Sequence, residues 1–106
     1  MYKYFRKGEY KLANIRRVVL DVLKPHTPNM VDMANRLADL DGVDGINLSL
    51  MEMDQKVENV KITCEGDSIN YEEVEEVILK NGGSIHSLDE VSAGTSLIEE
   101  VATPQD

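Results

Sequence analysis

Glu52, Asp54 and Glu58 are the residues of this chain whose type and spacing most readily suggest a chemistry. They flank Gln55-Lys56-Val57, between two segments whose apolar residues alternate. If the segments pair as a hairpin, facing residues share one side of the sheet. Setting Leu50 against Ile62 and Leu48 against Cys64 leaves Gln55-Lys56-Val57 as a three-residue loop. Asp54 then faces Glu58, with Glu52 two residues behind on the same side. Like charges directly opposed on a sheet destabilise it by ~0.2–1 kcal/mol per pair. A hard divalent cation would relieve the repulsion, calcium first and magnesium as the alternative, since carboxylate oxygens are their natural ligands. Calcium takes about 6–8 oxygens, so water, carbonyls or acids of a neighbouring subunit must complete the shell. The same acids also suit a solvated hairpin tip, with Lys56 as partner, that keeps a sheet edge from aggregating.

A second acidic set is Asp21, Asp89 and Glu90, on segments that neighbour each other if the fold is as read below. Asp21 interrupts an otherwise apolar strand. It is expected chiefly as a salt-bridge residue at a subunit contact, with Arg17 or Lys61, and secondarily as a metal ligand. His26 and His86 fall at the same end of the sheet as the hairpin tip and are candidate ligand-binding residues, although a lone histidine is more often a surface or hydrogen-bonded group. No Ser-His-Asp or Cys-His pattern and no glycine-rich phosphate loop is present, and the acids lack an enclosing pocket, so no enzyme is expected. Cys64 stands alone and suits a small buried apolar side chain rather than a redox or metal motif.

The elements that would position these groups are legible in the periodicity. Ile15 to Leu23 alternates Val18, Leu20 and Val22 with Arg17, Val19 and Asp21, as a strand does. Thr27 is placed to cap a helix opened by Pro28, with Val31, Ala34, Leu37 and Ala38 on its apolar stripe up to Leu40. Ile46 to Met51 and Val60 to Glu65 form the hairpin strands. Asn70 and Glu73, inside Ile69 and Val74, start a second helix with capping-box and staple spacing, and Gly82-Gly83 stops it. Ser84 to Val91 reads as a fourth strand. This order predicts an α+β, ferredoxin-like βαββαβ two-layer sandwich over residues 14–92, a four-stranded antiparallel sheet with two helices on one face. The other face, carrying Val19, Leu23, Met51 and Met53 among Arg17, Asp21, Lys61 and Thr63, is too apolar to face water and marks a subunit contact.

Residues 1–13 form a separate extension. Lys3, Arg6, Lys7 and Lys11 against Glu9 make residues 1–12 net +3, so the rest of the chain carries −12 to reach the formal −9. Tyr2, Tyr4, Phe5 and Tyr10 place most of the aromatics there. A basic aromatic arm suits a membrane surface or RNA, but an arm lying on an acidic neighbouring copy is the favoured reading. The acidic main body argues against nucleic acid as partner, and lysines and threonines where base-stacking aromatics would stand argue against RNA recognition. Without a run of ~20 apolar residues or a secretory leader, the chain is expected in the cytoplasm and not in a membrane. Residues 93–106 are a tail whose Leu97, Ile98 and Val101 suit packing on another subunit.

Four blocks resemble one known group: 18–26 (Val-Val-Leu-Asp-Val-Leu-Lys-Pro-His), 42–47 (Gly-Val-Asp-Gly-Ile-Asn), Glu52-Met53-Asp54 with Glu58-Asn59, and 82–91 (Gly-Gly-Ser-Ile-His-Ser-Leu-Asp-Glu-Val). They are similar to the archaeal domain-of-unknown-function family 211. The resemblance implies a ferredoxin-like fold, ring-like homo-oligomers and calcium as a ligand, and it supplies no physiological role. Val57 stands where the family usually has Thr, and the basic arm lies outside the resemblance. The Gly42-Val43-Asp44-Gly45-Ile46 turn also occurs in copper chaperones, whose paired cysteines are missing here. Three roles are therefore carried forward: a non-catalytic, homo-oligomeric binding module with cation-coupled assembly, a metabolite sensor holding its ligand between subunits, and a protein adaptor.

Overall fold

The computed structural model describes residues 13–101 and the backbone of two short strands, β1 (Lys3–Phe5) and β2 (Glu9–Lys11), which pair antiparallel with each other. The sheet proper begins with β3 (Ile15–Pro25), and the chain continues through α1 (Met30–Ala38), β4 (Gly45–Met53), β5 (Val57–Glu65), α2 (Tyr71–Lys80) and β6 (Ser84–Ala93). Its four strands lie in the order β4-β5-β3-β6, every neighbour antiparallel. This is the ferredoxin-like α+β arrangement expected from the periodicity. No helix among the described residues is long and apolar enough to cross a membrane.

One face of the sheet forms the core because alternate residues of a strand point the same way. Val18, Leu20 and Val22 of β3 and Val60, Ile62 and Cys64 of β5 are buried against Met33 and Leu37 of α1 and Val74 and Ile78 of α2. Fully burying such an aliphatic side chain contributes ~1.5–3 kcal/mol. Burial also pushes the Cys64 thiol up to about 11, which keeps it protonated and inert.

Both helices begin on an asparagine. Asn70 accepts the Glu73 amide at 3.3 Å, with buried Ile69 and Val74 packed on either side of the cap, as the spacing predicts. The first helix departs from expectation. Thr27 does not cap it; Asn29 does, accepting the Asp32 amide at 2.8 Å. Starting there, the stripe that turns inward is Met30, Met33, Leu37 and Leu40, and Val31 is left exposed. The inward stripe keeps Leu37 but takes Met30 and Met33 in place of Val31 and Ala34, one position earlier.

The hairpin register also differs. Ile46 faces Cys64, Leu48 faces Ile62 and Leu50 faces Val60, a shift of two residues that preserves which side is buried. A bulge between Leu50 and Glu52 then sets Glu52 against Asn59 and Met53 against Glu58. Asp54 therefore does not oppose Glu58. It heads a turn closed by its own N–H to the Val57 carbonyl at 3.0 Å, and Val57 becomes the first residue of β5 rather than the last of a loop. The cause is local: the Asp54 carboxylate accepts the Lys56 and Val57 amides at 2.7 and 2.8 Å, which tightens the turn by one residue.

The face away from the helices is covered unevenly. At the start of β3, residues 93–101 fold back over it, with the Gly94 amide on the Asn14 carbonyl at 2.8 Å and the Ser92 hydroxyl on the Ile98 carbonyl at 3.2 Å. At the hairpin end no described segment lies over it, and Met51 and Val57 are 58% and 36% exposed, whereas the bulge sets Met53 opposite Glu58, on the side of Lys24.

Candidate functional site

The hairpin end of the sheet is where charged groups converge. Lys24 continues the inward series Val18, Leu20, Val22 and is fully buried, facing Glu58 across the β3–β5 ladder. A buried ammonium is tolerable only when paired. Its Nζ donates to Glu58 Oε1 at 2.8 Å and to the Pro25 carbonyl at 2.7 Å. The other carboxylate oxygen, Glu58 Oε2, lies 2.8 Å from His26 Nδ1, while His26 Nε2 lies 3.1 Å from the Asp54 carbonyl oxygen. Both neighbours of the imidazole are acceptors, so both ring nitrogens must donate, and only the protonated ring does that. The Glu58 hydrogen bond accordingly raises the His26 pKa above its ordinary value, and His26 and Lys24 in turn hold Glu58 below the usual glutamate range. Asp54 is also lowered, chiefly by the Val57 and Lys56 amides on its carboxylate.

The three hairpin acids thus have different fates. Glu58 has each oxygen engaged by a cation, and one oxygen of Asp54 is spent on the turn. Glu52 remains exposed, and with Asp54, Asn59, Leu23, Met53 and Val57 it lines a shallow cavity of about 170 Å³ on the uncovered half of the sheet. No group of 3 or more His, Cys, Asp and Glu among the described residues is arranged to hold a metal ion.

The second acidic set is dispersed. Glu90 lies 3.2 Å from Arg17, which also reaches Glu65 at 2.7 Å and forks onto Glu99 through two bonds of 2.9 Å. Asp89 accepts the Ser87 hydroxyl at 2.7 Å. Asp21 sits opposite Lys61 on one side and Ser87 on the other, and its expected alternative partner Arg17 is taken by the three glutamates. His26 joins the hairpin acids, whereas His86 is exposed on β6. Sequence reasoning missed Lys24 as a functional residue, although its even position in the buried series was a usable signal. The Arg17 hub depends on Glu99, a residue of the tail, and no spacing rule relates the two.

The chain is thus an α+β protein with a four-stranded ferredoxin-like sheet, a charge-paired hairpin end and a half-bare open face. The family model described as "Uncharacterized ArCR" (DUF211) matches residues 16–106. The chain belongs to this DUF211 family. It is similar to "Uncharacterized protein MJ0319" of Methanocaldococcus jannaschii, with 53% identity over 95 residues that cover 90% of this chain and 98% of that protein.

Proposed function

We propose that the chain is a non-catalytic binding module that assembles with copies of itself through the uncovered half of its sheet, with a divalent cation coupled to that assembly. The observation that carries this reading is the bare hairpin end, where Leu23, Met51 and Val57 surround Glu52 and Asp54. Contiguous exposed apolar surface rimmed by polar groups is characteristic of protein contacts. Glu58 is already neutralised within the chain, so Glu52 and the free oxygen of Asp54 are what one copy offers to a cation. That is far short of the ~6–8 oxygens calcium takes. A complete shell requires carboxylates or carbonyls from a second copy, and this requirement links cation binding to self-association. Magnesium, with stricter octahedral geometry, is the weaker candidate.

Light scattering on the intact chain, in chelator and then in millimolar calcium or magnesium, tests the reading together with Met51→Lys and a Glu52→Gln, Asp54→Asn double variant. Assembly should be lost in Met51→Lys and should lose its calcium dependence in the double variant. A monomer in every condition, or a mass and melting temperature indifferent to calcium and to both variants, would refute it.

A further inference from the structure

The segment that covers the first half of the open face is weakly held. Residues 95–101 are tied over the start of β3 by the Arg17 guanidinium, which forks onto Glu99 through two bonds of 2.9 Å, and by the Ser92 hydroxyl on the Ile98 carbonyl at 3.2 Å. Among the described residues no backbone amide of 95–101 reaches a backbone carbonyl, and Glu99 makes the segment's one ion pair. Apolar burial does not hold it either: Leu97, Ile98 and Val101 are all exposed, the last two by 66% and 80%. Segments with few buried contacts and few backbone hydrogen bonds open at low cost. Two features lower that cost further. Gly94, at φ +127, leads into the segment with nothing within 4 Å of where a Cβ would stand, so the chain can swing there. Arg17 keeps Glu65 at 2.7 Å and Glu90 at 3.2 Å when Glu99 leaves, so opening strands no charge.

What such a cover withholds follows from area. Four strands ~4.8 Å apart and ~33 Å long present roughly 600 Å² in projection, and the bare half of the face about 300 Å². A stable contact takes ~800 Å² from each partner. With the segment closed the face falls far short of that, and with it lifted the face comes close. Lifting also adds Val19, buried two residues from Arg17 on the same side, to the apolar floor of Leu23, Met51 and Val57. We propose that residues 95–101 are a releasable strap: closed on Arg17 it limits the sheet face to its hairpin half, and rupture of the Glu99 fork extends the surface on which a second copy packs. The inference rests on the self-assembly reading above and assigns its regulation to the Arg17–Glu99 contact.

The test uses the full-length chain at fixed millimolar calcium. Glu99→Gln breaks the fork, while Glu100→Gln removes the same charge next to it without touching Arg17 and controls for the repulsion between acidic copies. In sedimentation equilibrium at ~0.1 M salt, Glu99→Gln should strengthen association by about twofold to fivefold for each strap released, the range of an exposed ion pair, and Glu100→Gln should change it much less. The gap between wild type and Glu99→Gln should narrow at ~1 M salt, where the screening length falls from ~10 to ~3 Å and the fork is screened in both. Release is read separately from a nitroxide on Ile98→Cys, a site already exposed, because the buried Cys64 does not compete for the label; the label should become more mobile when Glu99→Gln is added. Association unchanged by Glu99→Gln, an equal gain from Glu100→Gln, or a label no freer than in the parent overturns the strap. A Met51→Lys chain that fails to assemble beside a Glu99→Gln chain that assembles like wild type places the fault in the strap and leaves the face reading standing. A label freed by Glu99→Gln with every chain monomeric refutes self-assembly and, with it, the strap's control of it.

Discussion

Removing Glu58 should do more damage than removing any other surface-proximal acid of this protein. Glu58→Ala strips Lys24, which is fully buried, of its carboxylate at 2.8 Å and leaves its ammonium with the Pro25 carbonyl alone. It also takes from His26 the group that keeps the imidazole charged. Breaking a buried pair by deleting one partner costs ~3–5 kcal/mol, because the survivor is left buried and unpaired. Against total stabilities of ~5–15 kcal/mol, that is a large fraction. At ~4–8 °C per kcal/mol for a domain of this size, the midpoint should fall by more than ~12 °C. The decisive comparison adds Lys24→Met. Removing the stranded ammonium should restore part of the loss, so the double variant should be more stable than Glu58→Ala alone, since replacing a buried pair by apolar groups is often neutral. Urea unfolding at fixed protein concentration in chelator, at neutral pH, measures all four corners of the cycle. A Glu58→Ala cost below ~1 kcal/mol, or a coupling with Lys24→Met indistinguishable from zero, would refute the assignment of the pair as a structural clamp.

Three further outcomes are expected. His26 has a raised pKa, so its contribution is complete below its ordinary value of 6.5 and is lost as pH rises through the folded value above it; the stability gap between wild type and His26→Gln should close as pH rises above 6.5 through the raised folded value, and a gap that widens with rising pH would contradict the geometry. Gly66→Ala should be severely destabilising because a Cβ there would lie 1.9 Å from the Gly42 carbonyl oxygen, whereas Gly45→Ala meets nothing within 4 Å and should be near neutral, which thermal melts of the two variants will distinguish. Asn29→Ala should cost ~1 kcal/mol through loss of the α1 cap while Thr27→Ala costs less, and equal losses in urea unfolding would return the cap to Thr27.

Alternation and capping chemistry determined the architecture from sequence alone. Val18, Leu20 and Val22 had to share a face, Asn70 with Glu73 had to open a helix, and helices following the first and third sheet strands had to cover the same side. These are local rules acting over a few residues, and they suffice wherever one apolar series carries the signal. The phase of α1 is not legible locally, because Thr27 and Asn29 are both able to cap it and only the core decides which one starts the turn. The hairpin acids show the sharper limit. Parity fixed which side Leu48 and Ile62 occupy, but the choice between registers two residues apart belonged to the bulge at Leu50/Glu52 and the Asp54 turn, whose carboxylate bonds its own backbone. Three acids that looked like one cluster became a turn residue, a paired residue and a free one. Lys24 and Arg17 acquired their roles from residues 34 and 82 positions away, Glu58 and Glu99. Charge pairing across such separations has no period, so it is decided only when the strands are laid side by side.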